Sequence, residues 1–157
     1  MAEFDSKDVM AYILTKCENE NIFVNLTKLE KLLYCCYGAI LAKYDARLTS
    51  EHPQAWPYGP VFPQTFIAFR NGEITAGQDN SFRQNCPPEW LSLIDEVIAV
   101  FGKYKASQLS AWSHKEGSPW YKASSGGRVM QAPLDDFQIR QYFRENVLEE
   151  PNESTKN

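Results

Sequence analysis

Residues 26–44 read LTKLEKLLYCCYGAILAKY. Leu26, Leu29, Leu33, Cys36 or Tyr37, Ile40 and Tyr44 recur at the 3.6-residue period of an α-helix, and Leu32, Cys35 and Ala39 add a second apolar face. A helix that is apolar on most sides is buried at the centre of a domain. The stretch therefore predicts a core helix around which the rest of the chain packs.

On its N-terminal side, a helix is expected from about Asp5 to Glu20. Asp5 or Ser6 would cap it, because a short side-chain oxygen accepts a free N–H of the first turn. Val9, Tyr12, Ile13 and Cys17 form its apolar stripe. The connection Asn19–Asn25 is expected to dip Ile22, Phe23 and Val24 into the core. On the C-terminal side the chain changes character. Arg47–Ser50 suits a short strand. Residues 51–63, EHPQAWPYGPVFP, hold four prolines and one glycine. Proline fixes φ, removes a donor and pushes its predecessor to extended forms, while Gly59 accepts a positive φ. The segment is thus expected to be an ordered, stiff loop that breaks regular structure.

Pro63 suits the first turn of a short helix to Arg70, closed by the Asn71-Gly72 turn signal. Glu73–Pro87 has few apolar residues and reads as loop, with a short hairpin strand at Glu73–Thr75. A further helix, from Pro87 to about Tyr104, carries Leu91, Ile94, Val97, Ile98 and Phe101. Another spans Ser107–His114, capped by Ser107. Ser118-Pro119 opens a short turn of helix bearing Trp120, and Ser124–Arg128 is loop. Asp135 or Asp136 caps a last helix to about Val147, with Ile139, Tyr142, Phe143 and Val147 inward. The fold class is mainly α: one compact bundle of six or seven helices around a buried central helix, with a Pro-rich ordered loop and a short β-hairpin. Residues 1–148 form one domain and 149–157 a polar tail.

Composition narrows function. The chain has 157 residues, the length of one domain, and a net charge of −4. That balance argues against a protein that lives on the phosphate backbone, so nucleic acid is not an expected partner. The longest uncharged apolar run, Leu32–Ala42, falls short of the roughly 20 residues a membrane helix needs. Met1-Ala2-Glu3-Phe4 lacks the order of a signal peptide. A cytoplasmic location is expected, with Cys17, Cys35, Cys36 and Cys86 as reduced, buried thiols.

No P-loop, dinucleotide fingerprint, metalloprotease pair or nucleophile elbow is present. His114 with Glu116 is the best acid–base fragment. A lone histidine at a helix end more often caps carbonyls or bonds within the core. Cys35, Cys36, Cys86 and His114 are the candidate metal ligands, but adjacent cysteines on a helix point about 100° apart, and structural zinc favours spaced pairs. Neither a metal nor a cofactor is expected. Trp56, Tyr58 and Phe62, on a turn stiffened by Pro57, Pro60 and Pro63, leave two readings open. They are either rigid aromatic contacts for a partner or plugs for the domain's own core.

Lys28-Leu29-Glu30-Lys31-Leu32-Leu33-Tyr34 resembles the KLQKLLY helix of the Panacea-domain family, also described as SocA-like or phage-associated proteins. Ala55-Trp56-Pro57-Tyr58-Gly59-Pro60-Val61 is similar to its AWPYGPV signature. Leu109, Ser113-His114 and Pro119-Trp120 resemble its L…TH…PW block, and Tyr142-Phe143 fits its closing helix. Glu30 stands where glutamine is usual, and Ser113 where threonine is usual. The resemblance implies an antitoxin of a toxin–antitoxin pair that neutralises a cognate toxin, encoded nearby, by direct binding. Different members of the family meet unrelated toxins. Some relatives are adaptors that deliver a bound protein to a cellular protease. The resemblance implies no enzymatic activity. For such an antitoxin the stiff loop supplies the candidate partner surface, Trp56, Tyr58, Gly59, Pro60 and Phe62, with Glu73–Pro87 at its edge. Leu29, Leu33, His114, Pro119 and Trp120 would be structural.

Overall fold

The computed structural model describes residues 3–148; the tail read at Glu149–Asn157 lies outside the described residues. The order is α1 (Ser6–Asn19), α2 (Leu26–Tyr44), β1 (Gln54–Trp56), β2 (Gly59–Val61), α3 (Pro63–Arg70), α4 (Asn80–Asn85), α5 (Pro88–Phe101), α6 (Ala106–Ser113), α7 (Pro119–Ala123) and α8 (Asp136–Asn146). The fold is mainly helical, packed around α2, with one small antiparallel hairpin.

Helix α2 is the pillar. Asn25 caps it by accepting the Lys28 N–H at 2.9 Å, and Asp45 ends it in the left-handed conformation. Every residue from Lys28 to Ala42 is buried. Helices α1, α3, α5, α6 and α8 and strand β2 all pack on it. Gly38 is where α8 comes closest. A Cβ there would collide with the Phe143 ring, itself wholly buried. Alanine would gain up to about 1 kcal/mol of helix propensity, but overpacking a tight core costs about 1–3 kcal/mol. Gly38→Ala is thus expected to lower stability by about 1–2 kcal/mol in urea unfolding, the opposite sign to an exposed helical site.

The other caps follow their sequence. Asp5 accepts Lys7 N–H, Asp135 accepts Gln138 N–H and Ser118 accepts Tyr121 N–H. Helix α6 differs from expectation. It starts one residue earlier, and Gln108 Oε1 accepts the Lys105 N–H at 2.8 Å, so Ser107 is not its cap.

Four further expectations are corrected. Phe23 is 81% exposed and does not enter the core. The strand expected at Arg47–Ser50 reduces to a bridge, with Phe4 N–H bonding Leu48 O and Ser50 N–H bonding Phe4 O. No strand forms at Glu73–Thr75; the hairpin lies inside the Pro-rich segment instead. Residues 80–85 are helical, because Phe82 is buried against Phe4 and Tyr12, and Arg83 pairs with buried Asp79 at 2.7 Å.

Candidate functional site

Strands β1 and β2 pair in the register Gln54↔Val61, Ala55↔Pro60 and Trp56↔Gly59, with Pro57-Tyr58 as the turn. A proline within a strand normally breaks a ladder bond. Here its partner Ala55 turns both polar groups the other way. Ala55 N–H donates to Ala132 O at 2.8 Å, and Ala55 O accepts from Gln131 N–H at 2.6 Å. Pro60 therefore sits at a non-hydrogen-bonded position, where its missing N–H costs nothing.

The hairpin is clamped from three sides. From α2, Lys31 Nζ donates to Pro60 O at 3.0 Å. Its neighbour Glu30 accepts Phe62 N–H at 2.8 Å and the Thr65 hydroxyl at 2.6 Å. Both charged side chains are buried. Burial pushes the Glu30 carboxyl above its ordinary value and the Lys31 ammonium below its own. From α6, Ser110 Oγ donates to Tyr58 O at 2.8 Å. From α7, Trp120 Nε1 donates to Trp56 O at 2.8 Å. Between these, the His114 ring lies by the Pro57 carbonyl, which opposes the fall in its pKa, and packs edge-on against Trp120, 4.1 Å between centroids. Gly59 fits under the turn at φ +118°; a Cβ there would sit 2.5 Å from Lys31 Cε and from Ser113 Oγ.

These residues fall into two groups. Gly59, Pro60 and Phe62 lie inside, Phe62 at 0% exposure against Tyr37. They form the mount and not its outer surface. Trp56 is half-buried on Phe66, 5.0 Å between centroids, and Pro57 is exposed. Tyr58 projects outward with 70% of its surface free. Leu29 and Leu33 are core, and Pro119 and Trp120 are buried beneath the hairpin. The Glu73–Pro87 segment docks elsewhere: Gly77 N–H and Asp79 bond Thr15 of α1, not the hairpin. Sequence reasoning missed Glu30, Lys31 and Ser110 as hairpin anchors. The signal was two charges inside an otherwise apolar helix, which demand buried partners.

The chemical readings find little. Desolvation lowers the His114 pKa below 6.5, and its Nε2 is buried without a partner. Glu116 is exposed, and no hydrogen bond or ion pair joins it to His114 among the described residues. All four thiols are buried. Burial pushes Cys17 up to about 11 and Cys86 up to about 12, and raises Cys35 and Cys36 as well, the reverse of a reactive thiolate. No three metal-ligand side chains converge among the described residues, and none of the described helices is long and apolar enough to cross a membrane.

The hairpin and the elements that clamp it fall within residues 29–121, and that span matches the family described as antitoxin SocA-like, Panacea domain. This chain is a Panacea-domain protein of the SocA-like antitoxin family. The Panacea domain here is also 27% identical over 134 residues to Antitoxin SocA of Caulobacter vibrioides (strain NA1000 / CB15N), covering 78% of this chain and 71% of that protein. No solved structure matches it. The family span begins at Leu29 and ends at Tyr121, so it takes in Lys31, the whole hairpin, α6 and the Trp120 clamp.

Proposed function

We propose that this Panacea domain neutralises a cognate toxin by direct binding, with the Pro57-Tyr58 turn and the exposed edge of Trp56 at the contact. One observation carries the reading: the Tyr58 ring is largely free while its own carbonyl and those of Trp56 and Pro60 are bonded to the body. A side chain on a backbone already fixed loses little entropy on docking, and tyrosine and tryptophan dominate binding hot spots. The alternative of strand addition is disfavoured. One edge of the hairpin is covered by residues 131–133, and the other ends on Lys31 and Glu30. Neutralisation by this route needs no reaction step, in keeping with the raised thiol pKa values and the isolated His114.

Tyr58→Ala is expected to leave stability within about 0.5 kcal/mol, since an exposed ring leaves no cavity. Toxin binding should weaken by about 2 kcal/mol, roughly thirtyfold, with loss of growth rescue on co-expression. An alanine variant that binds and rescues like the parent would remove the tip from the contact.

A further inference from the structure

Helix α6 is the feature that extends the contact. At 100° per residue, Ser110, Ser113 and His114 face the hairpin, and all three touch it. Gln108, Leu109 and Trp112 face the opposite flank and line a second feature, a groove of about 560 Å³ between α5, α6 and the end of α8. Its apolar lining is Leu93, Val97, Val100, Leu109, Trp112 and Val147, with Glu96, Gln108 and Asn146 as polar neighbours. Val100 and Tyr104 on its lip are 50% and 45% exposed. The crest of α6 between hairpin and groove is Ser107 and Ala111, both exposed and both small, so an object can lie across it closely.

Size requires such an extension. A stable interface takes about 800 Å² from each partner, far more than one turn offers. Apolar surface exceeds polar surface in the groove, and its ionisable side chains are Glu96 toward one end and Tyr104 on the lip. That composition suits the apolar face of a helix better than a small polar ligand. The other end is basic. Beyond Tyr104, exposed Lys103 and Lys105 border the adjoining depression, in a chain whose net charge is −4. An α-helix with acidic residues in its first turn complements that end, and those residues also favour the positive end of its own dipole.

Resting on the antitoxin reading, we propose that the α5–α6 groove is the second half of the toxin-binding surface, taking an amphipathic toxin helix with its acidic N-terminal turn against Lys103 and Lys105 while the hairpin tip engages across the α6 crest.

The test uses the full-length protein and the product of the open reading frame beside its gene. Affinity is measured for the parent, Val100→Glu, the pair Lys103→Glu/Lys105→Glu, and Tyr58→Ala, with thermal melts of each. Val100 is half exposed, so glutamate should leave the melt unchanged while weakening toxin binding about tenfold or more. The lysine pair should weaken it severalfold and flatten its salt dependence. A parent complex that Val100→Glu binds within twofold overturns the groove and leaves the tip reading intact. Unchanged or tighter binding by the lysine pair overturns the acidic helix. A parent that is a dimer alone, and a monomer with Val100→Glu, would assign the groove to a second copy and overturn the proposal. No parent complex at all would remove the antitoxin reading, and the groove with it.

Discussion

Gly59→Ala is expected to cost about 3–5 kcal/mol of folding stability and to abolish toxin binding. Two effects add at this position. Backbone at φ +118° is a region that residues with a Cβ rarely enter, costing about 1–3 kcal/mol. The new methyl would also press on Lys31 Cε and Ser113 Oγ, both 2.5 Å away, and neither neighbour can simply move. Lys31 is buried and holds Pro60 O; Ser113 is buried and bonds Ser110 O. Overpacking of that kind adds about 1–3 kcal/mol. Domains of this size are stable by only about 5–15 kcal/mol, so the loss is a large fraction of the whole. Gly72→Ala is the control. It has φ +76° with open space around it, so it suffers the backbone effect alone. Urea unfolding of the two variants separates strain from collision; equal losses would mean that the turn is loosely seated.

Glu30→Ala should be almost as damaging, and Glu30→Gln should not. Alanine leaves the Phe62 N–H without its acceptor in the interior, at about 1–3 kcal/mol, while the Thr65 hydroxyl keeps Phe62 O as its acceptor. The cavity left behind adds to that, for a total of about 2–4 kcal/mol. Glutamine keeps an acceptor oxygen in place and removes a buried charge. The parent also carries a pH signature. Burial raises the folded carboxyl pKa above 4.5, so the folded state holds a proton that the unfolded state has already released. Its contribution to stability is full below pH 4.5 and is lost as pH rises through the higher folded value. Glu30→Gln should flatten that fall. A parent whose stability climbs with pH over this interval would contradict the desolvated carboxyl.

The central helix was legible to the residue because its apolar positions keep the 3.6-residue period from Leu26 to Tyr44, although its Asn25 cap was not read. The stiffness of 51–63 was also readable from its prolines. Its hairpin was not, because the position that tolerates Pro60 is created by residues 131–132, some seventy positions later in the chain. Helix α4 escaped for a similar reason. It has one apolar anchor, Phe82, and its remaining support comes from Asp79, Thr15 and Tyr12. Conversely, Phe23 looked like core from its composition and is left outside by the turn at Asn21, which takes a positive φ. At the candidate site, the Tyr58 position could be named from sequence but its exposure could not. Phe62, just past strand β2, belongs wholly to the interior.

The hydrogen bonds that helices α2, α6 and α7 make to the hairpin close on peptide atoms: the carbonyls of Trp56, Tyr58 and Pro60 and the amide of Phe62. None grips the Tyr58 ring. If the turn is the contact proposed above, mounting and recognition are written in separate alphabets, the first in the main chain and the second in side chains. The residue at the apex could then be exchanged, as a tool bit is changed in a fixed chuck, without disturbing what holds it.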